Sequence, residues 1–381
     1  MVAIAILSGG TGGHVMPALA LAEELEQLGI QLHWFGRPNS LEARMAQTTK
    51  AQYWCVDSQG FRGKSGPDKL KGLWSLFVSV CRCWWLLFKM PSRPQMAVGF
   101  GGYVSLAPAL AFWLWRIPLA LHEQNARTGT ANRLLRKRAR LLFAGLPGAF
   151  GVQSGTSSEQ AAASGGNFIG NPVRRQLRMA SQETFASASS VVRLLIFGGS
   201  QGAQAINDQV ADLATALPAD SWEIWHLCGA LPVNKLRALK GRYTKLARKI
   251  GVPIKVEAFS DQMDEIYRWA DIVLCRSGAL TLSELALFSL PAVLVPLPNA
   301  IDNHQMVNAE IWRDAGAASV AVQSELEPVA LAAELQQMAQ NLSSMKAAAT
   351  RLARPDAARR MAQKILASIR GTDSMQGSGL S

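Results

Sequence analysis

Short apolar runs that close on glycines or amides recur along this chain. Residues 2–7, 31–35, 95–100, 119–121, 191–197, 222–228, 254–258, 271–275 and 292–296 each read as a buried strand bounded by turn formers. Helical patterns fill the intervals. The first strand runs into Ser8-Gly9-Gly10-Thr11-Gly12-Gly13-His14, with a helix predicted over 17–28. Residues 95–100 end in Gly99-Phe100-Gly101-Gly102-Tyr103, and 191–197 in Gly198-Gly199-Ser200-Gln201-Gly202. Glycine permits positive φ and close backbone approach, so strand, glycine loop and helix form a phosphate-approach geometry. The second half thus restarts the grammar of the first. The pattern predicts an α/β protein of two Rossmann-like domains facing each other, with ligands outside the carboxyl ends of the strands.

The richest stretch is 271–308. Its strand stops at Arg276, Ser277 and Gly278. Thr281 and Glu284 then have capping-box spacing at the head of an apolar helix that Pro291 ends. A strand at 292–296 leads to a loop, 299–305, crowded with amides and a histidine. A helix N-terminus suits a phosphate or pyrophosphate. A carboxylate one turn in suits ribose hydroxyls, and Asn and Gln suit a neutral polyol. The stretch fits a nucleotide-sugar. The plainer reading is that Glu284 closes a capping box while Gln305 and Asn308 line a solvated helix face. Residue types alone leave both readings open.

Elsewhere the candidates are fewer. His14 is the titratable group of the first glycine loop and a candidate general base; the alternative is a histidine that only braces the turn. The strand at 31–35 ends in Gly36-Arg37 with no acidic residue for a ribose, so a dinucleotide reading survives only as NADP held by Arg37. His122-Glu123-Gln124-Asn125 ends another strand in a ligand-facing position, with Glu123 a second candidate catalytic group. Residues 70–90 carry Trp74, Phe77, Trp84, Trp85 and Phe88 among aliphatics and basic residues. They read first as a buried helix. The alternative is a helix whose aromatic side enters lipid headgroups while its cations meet anionic lipid. A basic run follows at 133–140.

The net charge of +12 points to an anionic partner. Nucleic acid is not expected, since no zinc-finger spacing, RNA-recognition consensus or helix-turn-helix is evident. Five scattered cysteines, mostly in apolar runs, read as reduced core residues. Residues 2–7 lack a basic lead and run into glycines, so they read as a strand and not as a leader. No stretch has the roughly 20 uninterrupted apolar residues of a membrane span. Residues 151–167 form a Gly/Ser/Ala-rich loop, Gly170 to Arg174 the link between domains, and 325–341 and 354–369 two final helices.

The ordered set Gly9-Gly-Thr-Gly-Gly-His14, Gly101-Gly-Tyr103, His122-Glu-Gln-Asn125, Gly170-Asn-Pro-Val-Arg174, Gly198-Gly-Ser-Gln-Gly202, Arg276 to Glu284, and Asp302-Asn-His-Gln305 with Asn308 resembles the MurG family over about residues 2–370. These are bacterial transferases that move N-acetylglucosamine from its UDP-sugar to lipid I in peptidoglycan synthesis. The resemblance implies the GT-B glycosyltransferase architecture. It assigns residues 1–172 to an acceptor and membrane-facing domain, on which a helix at about 352–370 packs back. Residues 173–351 become the UDP-sugar domain; the polar end from Gly371, residues 371–381, reads from its composition as a disordered tail. The resemblance implies inverting, metal-independent transfer to the 4-hydroxyl of the muramyl sugar, with no cofactor; no Asp-x-Asp motif is present.

Position by position, the resemblance makes His14 the proposed base and Glu284 the ribose ligand. Ala279, Leu280, Thr281 and Ser200 fall at the donor pyrophosphate, and Arg174 near the nucleotide. Gln305 and Asn308 hold the sugar hydroxyls. Thr11, Gly12, Gly13 and Asn125 line the cleft, with Gly101, Gly102 and Tyr103 at the acceptor phosphates. Ser260 stands where relatives carry an aliphatic residue beside the uracil. The implied partners are UDP-N-acetylglucosamine, lipid I, an anionic membrane surface and other cell-wall synthesis proteins. Localisation would be peripheral, on the cytoplasmic face of the inner membrane, with 70–90 and 133–140 as the docking segments. The rivals are another GT-B enzyme with a different lipid acceptor, a UDP-sugar epimerase, and a non-catalytic nucleotide-sugar sensor.

Overall fold

Seven parallel strands build the first sheet: β1 (Ala3–Leu7), β2 (Gln31–Gly36), β3 (Gln52–Cys55), β4 (Met96–Gly99), β5 (Leu119–Glu123), β6 (Ala139–Ala144) and β7 (Gly166–Phe168). Their order is β3-β2-β1-β4-β5-β6-β7. Six parallel strands build the second: β8 (Val192–Phe197), β9 (Trp222–Leu227), β10 (Ile254–Glu257), β11 (Ile272–Cys275), β12 (Ala292–Leu294) and β13 (Ala318–Val320), in the order β10-β9-β8-β11-β12-β13. Both sheets start centrally, wind outward, then return past the first strand. The order reverses between β1 and β4, and again between β8 and β11, which are the ligand-binding switch points of a doubly wound sheet. The computed structural model describes residues 2–56, 67–152, 166–183, 191–199, 202–298 and 300–377. Most of the predicted loop at 151–167, and Ser200, lie outside them.

The chain divides into two units, Met1–Arg175 with Pro355–Ser381, and Gln176–Arg354. Gly170 to Arg174 therefore belongs to the first unit and is not a link. Ile169 and Val173 are buried there, so packing continues past 172. The last helix, Ala357–Gly377, lies on the helix Gly12–Gln27, where Met361, Ala362, Ile365 and Ile369 join Ile4, Ile6, Val15 and Leu19 in one core. Burying Met361, Ile365 and Ile369 contributes about 1.5–3 kcal/mol each. That helix passes through Gly371, where a disordered tail was expected, and no proline interrupts it. A helix that was not expected, Leu342–Leu352, precedes it.

Two helices start earlier than their sequence suggests. The first begins at Gly12 and not at Pro17: Thr11 is extended (φ −98°, ψ 163°), and its carbonyl accepts from the His14 and Val15 amides. The helix Ala279–Leu287 begins two residues before Thr281, after Gly278, with no side-chain cap. Glu284 thus sits past the first turn, and the expected capping box does not form.

The helix Pro67–Leu86 continues as the short 3-10 turn Leu87–Lys89. It buries Ser79, Cys83 and Leu87 and packs against the helix Tyr103–Leu114. Its aromatic side faces outward, contrary to the buried-helix reading: Trp74, Phe77, Trp84, Trp85 and Phe88 are 41–67% exposed. Among the described residues no helix is long and apolar enough to cross a membrane. All five cysteines are free, but only Cys83, Cys228 and Cys275 are in the interior; Cys55 and Cys81 are exposed.

Candidate active site

At the first switch point the loops after β1 and β4 meet around His14. Gly102 has φ +76°, and an added Cβ would lie 3.0 Å from the Gly9 carbonyl oxygen and 3.4 Å from His14 Cδ2. Glycine is required there both for its backbone and for space. His14, in the first helical turn, places Nδ1 2.9 Å from the Phe100 carbonyl oxygen and 3.1 Å from Gln124 Oε1. Gln124 Nε2 donates to that same Phe100 oxygen at 2.9 Å and lies 3.2 Å from His122 Nδ1. His122 Nε2 is 3.3 Å from the Gly170 carbonyl oxygen.

His122, Glu123 and Gln124 are all buried, so the ligand-facing role expected for this run does not hold for these three. Glu123 is occupied in closing its own loop. Oε1 accepts from the Asn125 amide (3.2 Å) and Asn125 Nδ2 (3.3 Å), and Oε2 from the Gly129 amide and Asn132 Nδ2, both at 2.9 Å. A carboxylate so engaged braces the turn and is a poor candidate for proton transfer. Thr11 and Gly13 are exposed beside His14, Gly12 and Asn125 half-buried, and Tyr103 is at the surface. Arg37 is held by Tyr103, whose hydroxyl accepts from Nη1 at 2.7 Å, and by an ion pair with the buried Glu42 at 3.3 Å. Those contacts leave the NADP reading of Arg37 without support. Glu42 Oε2 is buried with no hydrogen-bond partner. Arg174 is half-buried, and its Nε has no partner either.

The second switch point is built differently. The amides at the start of the helix Ala279–Leu287 follow β11 directly, with Gly278 extended ahead of them. Glu284 is buried beneath, its Oε2 accepting from the Tyr267 hydroxyl at 2.9 Å. Tyr267 lies on a separate helix, Met263–Trp269, and nothing in the local pattern singles it out. The loop after β12 is bound to the loop after β11. Ser277 Oγ donates to the Gln305 carbonyl oxygen at 2.7 Å, and Asn308 Nδ2 to the Ser277 carbonyl oxygen at 3.2 Å. Asn308 is 0% exposed, so it sets the loop and offers no surface to a sugar, a correction to its expected role. Gln305 is half-buried and accepts from the Leu297 amide at 2.9 Å through Oε1, which points its amide nitrogen away as a donor. Asp302 and Asn303 both hold positive φ (55° and 52°) just before the helix His304–Asp314. Their short polar side chains tolerate that strain. Ser260 accepts from the Gln262 amide at 3.1 Å and lines a pocket of ≈ 460 Å³ with Trp225, Lys255 and Phe259.

A third feature belongs to the first unit. Trp84, Phe88 and Trp115 pack edge to face, with centroids 4.5–5.7 Å apart. Lys89 stands 3.8 Å over Trp85, Arg93 5.3 Å over Trp115 and Arg138 4.9 Å over Trp113. Residues from the two helices and from the basic run thus form one aromatic and cationic surface.

Two doubly wound parallel units in one chain define the GT-B glycosyltransferase architecture. The glycosyltransferase family 28 N-terminal domain matches residues 4–143, and that family's C-terminal domain matches residues 193–363. The chain is 37% identical over 372 residues to a UDP-N-acetylglucosamine–N-acetylmuramyl-(pentapeptide) pyrophosphoryl-undecaprenol N-acetylglucosamine transferase of Marinobacter nauticus, covering 96% of this chain and 97% of that one. It is 38% identical to the transferase of the same name from Aeromonas hydrophila, over 94% of this chain and 95% of the relative. Among solved structures it superposes on Acinetobacter baumannii MurG with a TM-score of 0.74 and 30% identity, over 96% of this chain and 99% of the other. A UDP-N-acetylglucosamine 2-epimerase from Neisseria meningitidis shares the fold alone, at 13% identity and a TM-score of 0.63. The chain belongs to glycosyltransferase family 28.

Proposed function

We propose that this protein transfers N-acetylglucosamine from UDP-N-acetylglucosamine to the 4-hydroxyl of the muramyl sugar of lipid I, giving lipid II with inversion at the anomeric carbon and without a metal. The observation that carries the reading is kinship with transferases of that name along both units, so that both halves of the machinery are accounted for. His14 takes the proton from the acceptor hydroxyl through Nε2. The oxygen attacks the anomeric carbon as its bond to UDP breaks on the opposite face. Amides of Ala279, Leu280 and Thr281, at the positive end of their helix, meet the charge developing on the departing diphosphate. Arg174, with a guanidinium nitrogen unsatisfied within the protein, adds a cation. Glu284 accepts from the ribose hydroxyls, and Gln305 donates to the sugar. The glycine loops around Gly12, Gly13, Gly101 and Gly102 receive the acceptor pyrophosphate.

The aromatic and cationic surface docks the protein on anionic lipid at the cytoplasmic face of the inner membrane, where a polyprenyl acceptor resides. Other cell-wall synthesis proteins would be met there.

The test is transfer of labelled N-acetylglucosamine to a lipid I analogue in the presence of EDTA. Product formation is expected. Donor binding without transfer, or conversion of the donor with no acceptor present, would overturn the reading.

A further inference from the structure

We propose that Gln124, backed by His122, is a positioning pair that holds His14 as its Nδ1–H tautomer and so leaves Nε2 as the basic atom. This inference rests on the reading of His14 as the base. The Gly170 carbonyl oxygen can only accept, so His122 Nε2, 3.3 Å away, carries the ring proton. His122 Nδ1 is then an acceptor and faces Gln124 Nε2 at 3.2 Å. The same nitrogen of Gln124 donates to the Phe100 carbonyl oxygen at 2.9 Å. Both of its hydrogens are used, and the amide cannot flip without setting an oxygen against two acceptors. Gln124 Oε1 is therefore directed at His14, 3.1 Å from Nδ1, and the Phe100 oxygen lies 2.9 Å from the same atom. Two acceptors converge on Nδ1, which must be a donor. Neutral imidazole has one proton, so Nε2 is left with its lone pair.

The pair depends on His122 staying neutral, because a second ring proton would point at the Gln124 amide hydrogens. Burial holds its pKa down at about 4, and the neighbouring His14 adds to that, against an upward pull from the Gly170 carbonyl. Nothing in the pair touches substrate: His122 and Gln124 are both in the interior.

The test uses the full chain labelled with ¹⁵N-histidine, with long-range proton–nitrogen spectra. The chain has five histidines, and His14 is assigned by its loss in His14→Ala. A pyrrole-type Nδ1 and a pyridine-type Nε2 are expected. Gln124→Leu should draw the two nitrogen shifts together and lower kcat about tenfold, less than a fully wrong tautomer costs a catalytic histidine because the Phe100 oxygen remains. The KM for UDP-N-acetylglucosamine should hold within about twofold. His122→Phe should act in the same direction and more weakly. A pyridine-type Nδ1 in the unaltered protein would overturn the proposal, and so would Gln124→Leu with unchanged shifts and kcat. Full transfer by His14→Ala, with the nitrogens as expected, would instead remove the base reading and leave the tautomer assignment standing. Should Gln124→Leu fail to fold, the spectrum of the unaltered protein decides alone.

Discussion

The two switch points share a topology and differ in what they present. In the first unit, buried side chains hold a half-buried imidazole, His14, and glycines clear the space around it. In the second, side chains bind loop to loop, and the helix Ala279–Leu287 starts directly after the strand with no side chain capping its first amides. One arrangement suits the handling of a proton, whose position must be fixed to one atom. The other suits the handling of spread negative charge, which several weak dipoles meet better than one group. The same strand order therefore carries two differently built loop ends, decided by which residues close the loops.

The sharpest way to break this division is His14→Ala. Transfer should fall roughly 10²–10⁴-fold in kcat with UDP-sugar binding intact; a matching loss of donor affinity would merge the two roles. Acid comes next, and it acts on both units. His122 is held down at about 4 by burial, with His14 adding to the effect and the Gly170 carbonyl opposing it, and burial alone does the same to His226. Unfolded, each titrates near 6.5, so between 6.5 and 4 the unfolded chain binds the extra protons. Stability is complete above 6.5 and falls toward pH 4, by about 3 kcal/mol per histidine. Calorimetry across that window should show His226→Phe abolishing the second unit's share only.

Glu284→Gln should raise the donor KM roughly 10–100-fold, as expected for losing charged hydrogen bonds, with kcat little changed. A fall in kcat instead would give the second unit a part in the chemical step. Asn308→Ala should cost about 1–3 kcal/mol of stability in thermal melts by loosening the Ser277 loop. The smallest expected effect is on the aromatic surface. Replacing Trp84 and Trp85 together with the basic run should reduce co-sedimentation with anionic vesicles while transfer to a water-soluble acceptor persists. Unchanged sedimentation would sink the docking reading.

The central strands were legible because they are uninterrupted apolar runs ending in glycine, as in Ala3–Leu7 and Ile272–Cys275. β3, β7 and β13 were not. They are short strands at the sheet edges, half exposed in part, and carry no such run. β6 was hidden because its first residues belong to a basic cluster. At the site, residue types drew attention to His14 and Glu284 without deciding their roles, because a sequence cannot tell a reactive polar group from a buried brace. Asn308 and Glu123 look like ligands until their burial and partners are seen. Tyr267 and Gln124 matter only through contacts that the fold creates between distant segments.

The last helix bears on how the molecule is made. Met361, Ala362, Ile365 and Ile369 close the core that Ile4 and Ile6 begin, so the ribosome delivers the two sides of that core with the whole second unit between them. The second unit, continuous from Gln176 to Arg354, is complete while the first still lacks a wall. During that interval the older part of the nascent chain is the one exposed to chaperones and proteases. A premature stop near residue 355 would for the same reason unfold the amino-terminal sheet before it disturbed the sheet that was translated next to it.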